Sequence, residues 1–326
     1  MTELDLGRIE ITPAAAAVLE QAGLQVEALL DRHRQGDWGE VDDHVRQHNA
    51  FSLRYGGLIR SSYGIAEGVD LLVSTSRDRT YTKLLLGDEF ENREASAQEG
   101  YARWAAYYDL EGNPLIAVED PLVDVILEGL DVSTGWDALT ALDVATGTGR
   151  IALKLAQRGI QVTGIDPSPE MLSVAQDRAF RLGLDIAFHS GSFEEGLPFE
   201  RDAFDLATCA LALCHVPDLY GAVRELARVV RPGGYVLITD FHPEGVAIGW
   251  RTVVTCADAY YRLPNMPHTR EDYVSAVRQA GCVPLDVRDV PVREVPEGCF
   301  AHHHEIVTEF GDVALCLMIL AQKPEE

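Results

Sequence analysis

The segment from Ala141 to Ala156 (ALDVATGTGRIALKLA) reads as a strand, a glycine-bearing turn and an amphipathic helix. Gly147 and Gly149 let the backbone turn tightly and approach a ligand at the helix N-terminus, where unpaired N–H groups favour an anionic or electron-rich moiety. A nucleotide-like ligand is implied. Gly147-x-Gly149-x-x-Ala152 also satisfies the dinucleotide pattern, so the turn by itself leaves nicotinamide and other adenosyl cofactors open. Asp166 lies 17 residues after Gly149, at the end of the next expected strand, where a carboxylate can accept both hydroxyls of an adenosine ribose. It also reads as a charge at a helix N-terminus, because Pro167-Ser168-Pro169-Glu170 opens a helix with Ser168 as its cap.

These residues need a scaffold, and the chain spells one out. Strand-like runs at 140–145, 160–165, 185–190, 203–209, 234–239, 283–293 and 313–321 alternate with helical stretches, which implies crossover units and a mainly parallel sheet. The expected fold class is α/β, a Rossmann-like sheet of seven mostly parallel strands with helices on both faces, preceded by a small α+β unit. In that unit, Thr12 caps a helix that starts at Pro13 and stops at Gly23. Two short helices follow at 26–34 and 41–53, then strands at 59–65, 69–74 and 80–86, expected to form a three-stranded meander. Residues 87–99 are acidic and largely free of large aliphatics, which suits a connection between two bodies more than a strand. The expected domains are therefore 1–90 and 91–326.

Charge narrows the partners. The 27 basic against 52 acidic residues leave −25, divided −6 over residues 1–90 and −19 over the rest, a field that repels phosphate backbones and anionic headgroups. Neither nucleic acid nor a membrane surface is expected as a partner. Six cysteines scattered without a CxxC pair imply reduced thiols and a cytoplasmic compartment. The acidic start carries no signal-peptide pattern, and the longest late apolar run, 313–321, is far below the ~20 residues that cross a bilayer.

Four segments taken in order, 142–149 (LDVATGTG), 164–172 (GIDPSPEML), 191–199 together with Phe204-Asp-Leu, and 231–240 (RPGGYVLITD), resemble a class I S-adenosylmethionine (SAM)-dependent methyltransferase. The resemblance covers residues 95–326 and is strongest to the small-molecule type that includes ubiquinone- and menaquinone-biosynthesis enzymes. Asp143 inside the first strand argues against a dehydrogenase, whose strand usually lacks it. The resemblance implies SAM as cofactor. Asp143, Ala145, Gly147 and Gly149 would surround its methionine part, and Asp166 would take the ribose diol. Met171 would pack near adenine, with Ser192 and Phe193 at its edge and Cys209 at the end of the fourth strand. Ser192 departs from the family, which usually has Asp there, so adenine recognition is expected to draw on backbone groups or on Glu194. Tyr101, Trp104 and Tyr108 resemble the aromatic lead-in helix that folds over the cofactor, and an aromatic face near a sulfonium gains cation–π attraction. Their spacing fits a core stripe equally well.

Methyl transfer is an in-line displacement that needs alignment and, for a protonated nucleophile, a base. His242, two residues past Asp240, is the first candidate base, with capping of a loop beside Pro243 as the alternative. His215 is the second, at a position where the family often has a structural histidine. Cys299, His302 and His304 form only a local cluster, so no metal is expected, and that segment is read instead as a loop lining the substrate entrance. The insertion 241–268 carries Trp250, Arg251, Tyr260, Tyr261 and Met266, which could wall a flat acceptor, with Arg251 on an acidic group; satellite packing is the other reading. No Asn/Asp-Pro-Pro-Tyr/Phe/Trp segment or Pro-Cys nucleophile occurs, so base methylation in nucleic acid lacks its usual apparatus. The leading expectation is methyl transfer to a small organic metabolite at O, N or C. The rivals are a SAM-binding regulator, a fold-sharing enzyme without methyl transfer, or a protein or RNA modifier targeted by the N-terminal unit. That unit is expected to dock, dimerise the chain or act as a lid, and a homo-oligomer formed through it is one such outcome.

Overall fold

The computed structural model describes residues 4–55, 57–109, 113–130, 135, 138–297, 299 and 303–325. Strand β1 (Arg8–Ile11) leads into α1 (Pro13–Ala22), capped by the Thr12 hydroxyl and closed by Gly23 in the left-handed region. Helices α2 (Val26–Arg34) and α3 (Asp43–Tyr55) follow, then β2 (Ile59–Ala66), β3 (Val69–Thr75) and β4 (Tyr81–Leu86). The three antiparallel strands expected from sequence are joined by β1, parallel to β4, giving the order β1-β4-β3-β2. The β1 sequence RIEI alternates polar and apolar residues, but four residues are too short a run to stand out as a strand without the pairing to β4. Leu19, Leu29, Leu30, Trp38, Tyr63 and Leu84 meet in the core between this sheet and its helices.

The stretch read as a plain connection holds a 3-10 turn at Gly87–Glu89 and strand β5 (Glu91–Glu94), whose sequence ENRE is exposed throughout. Next come α4 (Ala97–Trp104), opened by a Ser96/Glu99 capping box, and α5 (Pro114–Gly129). Strand β6 (Thr140–Val144), α6 (Arg150–Ala156), β7 (Gln161–Asp166), α7 (Pro169–Leu182), β8 (Ile186–Ser190) and β9 (Phe204–Ala210) run as expected. A 3-10 turn at Leu213–His215, α8 (Leu219–Val229) and the long β10 (Val230–Phe241) complete that series.

The insertion is structured: α9 (Pro243–Ala247), β11 (Val253–Thr255) and β12 (Ala259–Arg262). Strands β11 and β12 form a hairpin, and β5 adds parallel to β12, making a second small sheet of three strands. The chain ends with α10 (Arg270–Gln279), capped by Thr269, then β13 (Val283–Pro291), α11 (His303–Phe310) and β14 (Ala314–Gln322).

The large sheet has the order β13-β14-β10-β9-β6-β7-β8, parallel except for β14. This is the Rossmann-like seven-stranded sheet. Leu142, Val144, Ile165, Ala207 and Ile238 from its centre pack with α8 and α10 in one core layer, and Ala141, Val162, Leu206 and Leu237 pack with α5 and α6 in the other. Strand order reverses between β6 and β9, where crossover helices leave toward opposite faces and a crevice opens beyond the strand ends. All six cysteines are free, and among the described residues no helix is long and apolar enough to cross a membrane.

Candidate active site

Asp143 is 1% exposed near the end of the central strand β6. Its carboxylate accepts hydrogen bonds from the Thr146 hydroxyl (2.6 Å), the Ala152 N–H (3.1 Å) and, from β9, the Thr208 hydroxyl (2.5 Å). One side chain thus ties strand, turn, helix and neighbouring strand together. Burial pushes its carboxyl up to about 6, against the pull of the two threonine hydroxyls.

The turn above it bends through three left-handed residues: Ala145 (φ 55°), Gly147 (φ 56°) and Gly149 (φ 80°). The two glycines do different work. A Cβ on Gly147 would meet nothing within 4 Å, whereas one on Gly149 would lie 3.1 Å from the Ala175 Cβ of α7, so Gly149 serves helix packing. Ala145 pays about 1–2 kcal/mol for its conformation. Leu211 (φ 54°), just past β9, is strained in the same way, and both residues line one cavity.

That cavity, about 720 Å³, lies beyond the carboxyl ends of β6, β7 and β9. Asp166 closes one side, 6% exposed, with Oδ2 accepting the Gly147 N–H (2.8 Å) and Oδ1 the Ser168 N–H (2.8 Å). Burial raises its pKa and the two backbone donors oppose the rise. Each oxygen keeps a second lone pair for a further donor. Of the residues that the resemblance implied, Tyr101, Tyr108, Asp143, Ala145, Gly147, Asp166, Met171, Ser192 and Phe193 line the cavity. Gly149 and Cys209 do not. The alternation of β9 turns Cys209 into the core, fully buried, while the next residue, Ala210, lines the wall.

In the same cavity wall α4 brings Tyr101 to His215. The imidazole Nδ1 lies 2.5 Å from the Pro264 carbonyl, which can only accept, so Nδ1 carries the proton. In the neutral ring Nε2 is then a lone pair, and the Tyr101 hydroxyl donates to it over 3.1 Å. Burial lowers the His215 pKa and raises that of Tyr101 well above 10, which keeps both groups neutral. Tyr101 stacks on Trp104 and meets Tyr108 edge-on in a common cluster, so the aromatic stripe is at once core and cavity wall.

The turn that presents His215 is held from beneath by Asp240, a residue whose role the sequence did not signal. Fully buried, it accepts from the Cys214 N–H (2.6 Å), the Tyr273 hydroxyl (2.8 Å) and the Phe241 N–H (2.8 Å). Burial pushes its carboxyl up to about 6. The Met266 N–H donates to the Cys214 carbonyl (2.7 Å), fastening the insertion to the same turn.

His242 is not brought to the cavity. It is the N-cap of α9: Nδ1 accepts the Glu244 N–H (3.1 Å) and Nε2 faces the Asp289 carboxylate (3.1 Å). With both nitrogens engaged and the ring 5% exposed, the capping alternative describes it, and the expected base there finds no geometric support. Arg251 likewise donates to the Val246 and Trp250 carbonyls instead of reaching an acceptor, and of the five insertion residues singled out only Met266 lines the cavity. His302 lies outside the described residues, and His304 sits on α11, a helix where an entrance loop was expected. Among the described residues no three His, Cys, Asp or Glu side chains are placed to hold a metal ion. Two cavity residues unforeseen from sequence are Gln98, whose amide donates to the Pro167 carbonyl (3.0 Å), and Pro264; the Ser96/Glu99 capping box was the one signal available for the first.

Residues 142–238 match the methyltransferase domain family. A ubiquinone biosynthesis O-methyltransferase of Sodalis glossinidius is 35% identical over 195 residues, 59% of this chain and 74% of that protein. The chain belongs to the SAM-dependent methyltransferases. Its methyl donor is SAM. The methyltransferase GfsG of Streptomyces halstedii is 31% identical over 57% of this chain and 66% of its own. Among solved structures, the [4+2]-cyclase SpnF covers 72% of this methyltransferase and 98% of its own chain at TM-score 0.51 and 24% identity, a likeness of fold alone.

Proposed function

We propose that this methyltransferase alkylates a small organic acceptor whose nucleophile sits at the Tyr101–His215 end of the cavity. The observation that carries the reading is the Tyr101–His215 hydrogen bond. The Pro264 carbonyl sets the His215 tautomer, Nε2 accepts the Tyr101 hydroxyl, and both residues line the same cavity as Asp166 and Gly147.

The residues present fit the donor. The cavity volume falls in the range that takes cofactor-sized ligands, Gly147 leaves open space where any side chain would intrude, and the Asp166 carboxylate has lone pairs left for a pair of hydroxyls. Ser192, Phe193 and Met171 would hold the adenine end, with Glu194 as the nearest carboxylate along the chain. Tyr101 and Tyr108 would offer ring faces to a sulfonium. When bound, SAM supplies a methyl group on a positively charged sulfur.

The chain's own part is alignment and a proton path. A hydroxyl or ammonium-derived nucleophile beside Tyr101 gives its proton to the phenol oxygen while the phenol proton passes to His215 Nε2. The imidazolium so formed keeps its Nδ1–H on the Pro264 carbonyl. Tyr101 remains a neutral phenol before and after, in keeping with its raised pKa. Small-molecule acceptors are further supported by the name of the ubiquinone-biosynthesis relative and by the net charge of −25, which disfavours RNA.

The test uses methyl-labelled SAM against a panel of phenols, alcohols and amines. His215→Asn should lower turnover by about 10²-fold or more while S-adenosylhomocysteine binds within about threefold of wild type. Activity should fall at acid pH, as His215 protonates below its ordinary range of about 6.5. Unchanged turnover in His215→Asn would remove the base, and absence of transfer to every acceptor would remove the reading.

A further inference from the structure

Residues 1–90 lie outside the matched family region, yet they touch the β11–β12 hairpin that packs on the helix carrying Tyr101. The outward face of β4 presents Lys83, whose ammonium lies 2.9 Å from the Asp258 carboxylate at the tip of the β11–β12 hairpin. Both side chains are about three-quarters buried, at 22% and 26% exposure. From β2, the Arg60 guanidinium lies 5.1 Å above the Phe90 ring and 5.9 Å from that of Tyr260, and these two rings meet edge-on. The connection then pairs with the hairpin: β5 runs parallel to β12, and the Ala95 N–H donates to the Arg262 carbonyl (3.1 Å). At the end of β12, Leu263 is 1% exposed and packs so closely on α4 that a Cβ on Gly100 would fall 2.1 Å from its Cδ2. The next residue on α4 is Tyr101.

A continuous path of packed and charged contacts therefore runs from the N-terminal sheet to the phenol. We propose that Lys83, Asp258, Gly100 and Leu263 are positioning residues for Tyr101, so that the N-terminal unit braces, in cis, the α4 wall of the reaction cavity. Gly100 is glycine because α4 must lie flush against Leu263 for the phenol to reach His215. The Lys83–Asp258 pair holds the hairpin that presents Leu263. By linkage, ligand bound in the cavity should in turn tighten the contact between β4 and the hairpin. The inference rests on Tyr101 being part of the reaction site, but its test reads backbone exchange and ligand affinity, so it can fail while methyl transfer stands, and the reverse.

The experiment uses the full chain with S-adenosylhomocysteine as probe. Hydrogen exchange is followed on α4 and, as a control, on β7. Lys83→Asp and Asp258→Lys should each speed exchange of α4 amides by about fivefold and weaken the probe, while β7 stays unchanged. The double variant carrying both changes should restore α4 to within about twofold of wild type, a rescue that lost packing alone would not give. Gly100→Ala should free α4 by wedging it off Leu263 without touching the ion pair. The proposal is overturned if α4 exchange ignores the single changes and Gly100→Ala, if β7 accelerates equally, or if the double variant fails to recover.

Discussion

Both halves of this protein bury a polar cluster against a sheet, and only one cluster opens on a cavity. In the N-terminal unit, His33 is fully buried between the Ser61 hydroxyl (2.5 Å from Nδ1) and the Thr75 hydroxyl (2.9 Å from Nε2). Thr75 meets Thr82, and Thr82 donates to the Leu6 carbonyl. The chain of hydrogen bonds ends on backbone, with no face left for a ligand. In the methyltransferase domain Asp166 and the Tyr101–His215 pair are as well partnered, but the Asp166 carboxylate and the Tyr101 hydroxyl oxygen keep acceptor lone pairs in residues that line the cavity. Burial and hydrogen bonding alone do not mark a site; an incompletely used acceptor facing a void does.

The comparison can be broken most forcefully at Asp166. Asp166→Ala removes a carboxylate from the open cluster, and charge-assisted hydrogen bonds to two hydroxyls are worth about 3 kcal/mol together, so calorimetry should find S-adenosylhomocysteine bound about 100-fold more weakly. His33→Ala, in the closed cluster, should leave that affinity within about threefold unless the brace through Lys83 is lost with it.

Acid sharpens the contrast because His33 and the two buried aspartates under the cavity, Asp143 and Asp240, titrate with opposite sign. Burial lowers the His33 pKa to about 3, so its contribution is complete above the unfolded value of about 6.5 and is lost as pH falls toward 3, amounting to about 2 kcal/mol by pH 5. Asp143 and Asp240, raised to about 6, contribute stability below about 3.8 that is lost as pH rises through 6. Exchange protection between pH 7.5 and 5 should therefore fall first on β2 to β4 while β6 and β10 hold. Equal loss in both sheets would contradict the assignment.

A smaller effect is expected from strain. Ala145→Gly relieves a left-handed alanine in the open cluster and should stabilise the methyltransferase domain by up to about 1 kcal/mol, read as a rise in its thermal midpoint. Ala152→Gly, inside α6 with ordinary helical geometry, should destabilise by a similar amount, about 0.5–1 kcal/mol.

Much of this was legible in the residues. The large sheet could be read because buried parallel strands are short apolar runs between glycine and cap signals: Gln161–Asp166 ends at a Pro-Ser-Pro helix start, and Phe204–Ala210 needs only its apolar run. The sequence hid β5, since Glu91–Glu94 is charged or polar and exposed on both faces, and its strand state comes from pairing in register with β12, 168 residues further along the chain. The two histidines show the same limit at the site. His215 and His242 both follow a strand by a few residues, and only the chain's path decides that one meets a phenol and a carbonyl inside the cavity while the other caps a helix before Pro243. At the end of β9 one residue of strand alternation separates Cys209, whose side chain is in the core, from Ala210, which lines the cavity.

The central claim is that one cavity holds the donor on Asp166 and presents its sulfur to the Tyr101–His215 pair. The most direct test is a crystal structure of the full chain with S-adenosylhomocysteine. The account expects the ribose hydroxyls on the Asp166 carboxylate and the sulfur facing the Tyr101 and His215 side chains. A ligand whose ribose lies away from Asp166, or whose sulfur faces away from that pair, would contradict it.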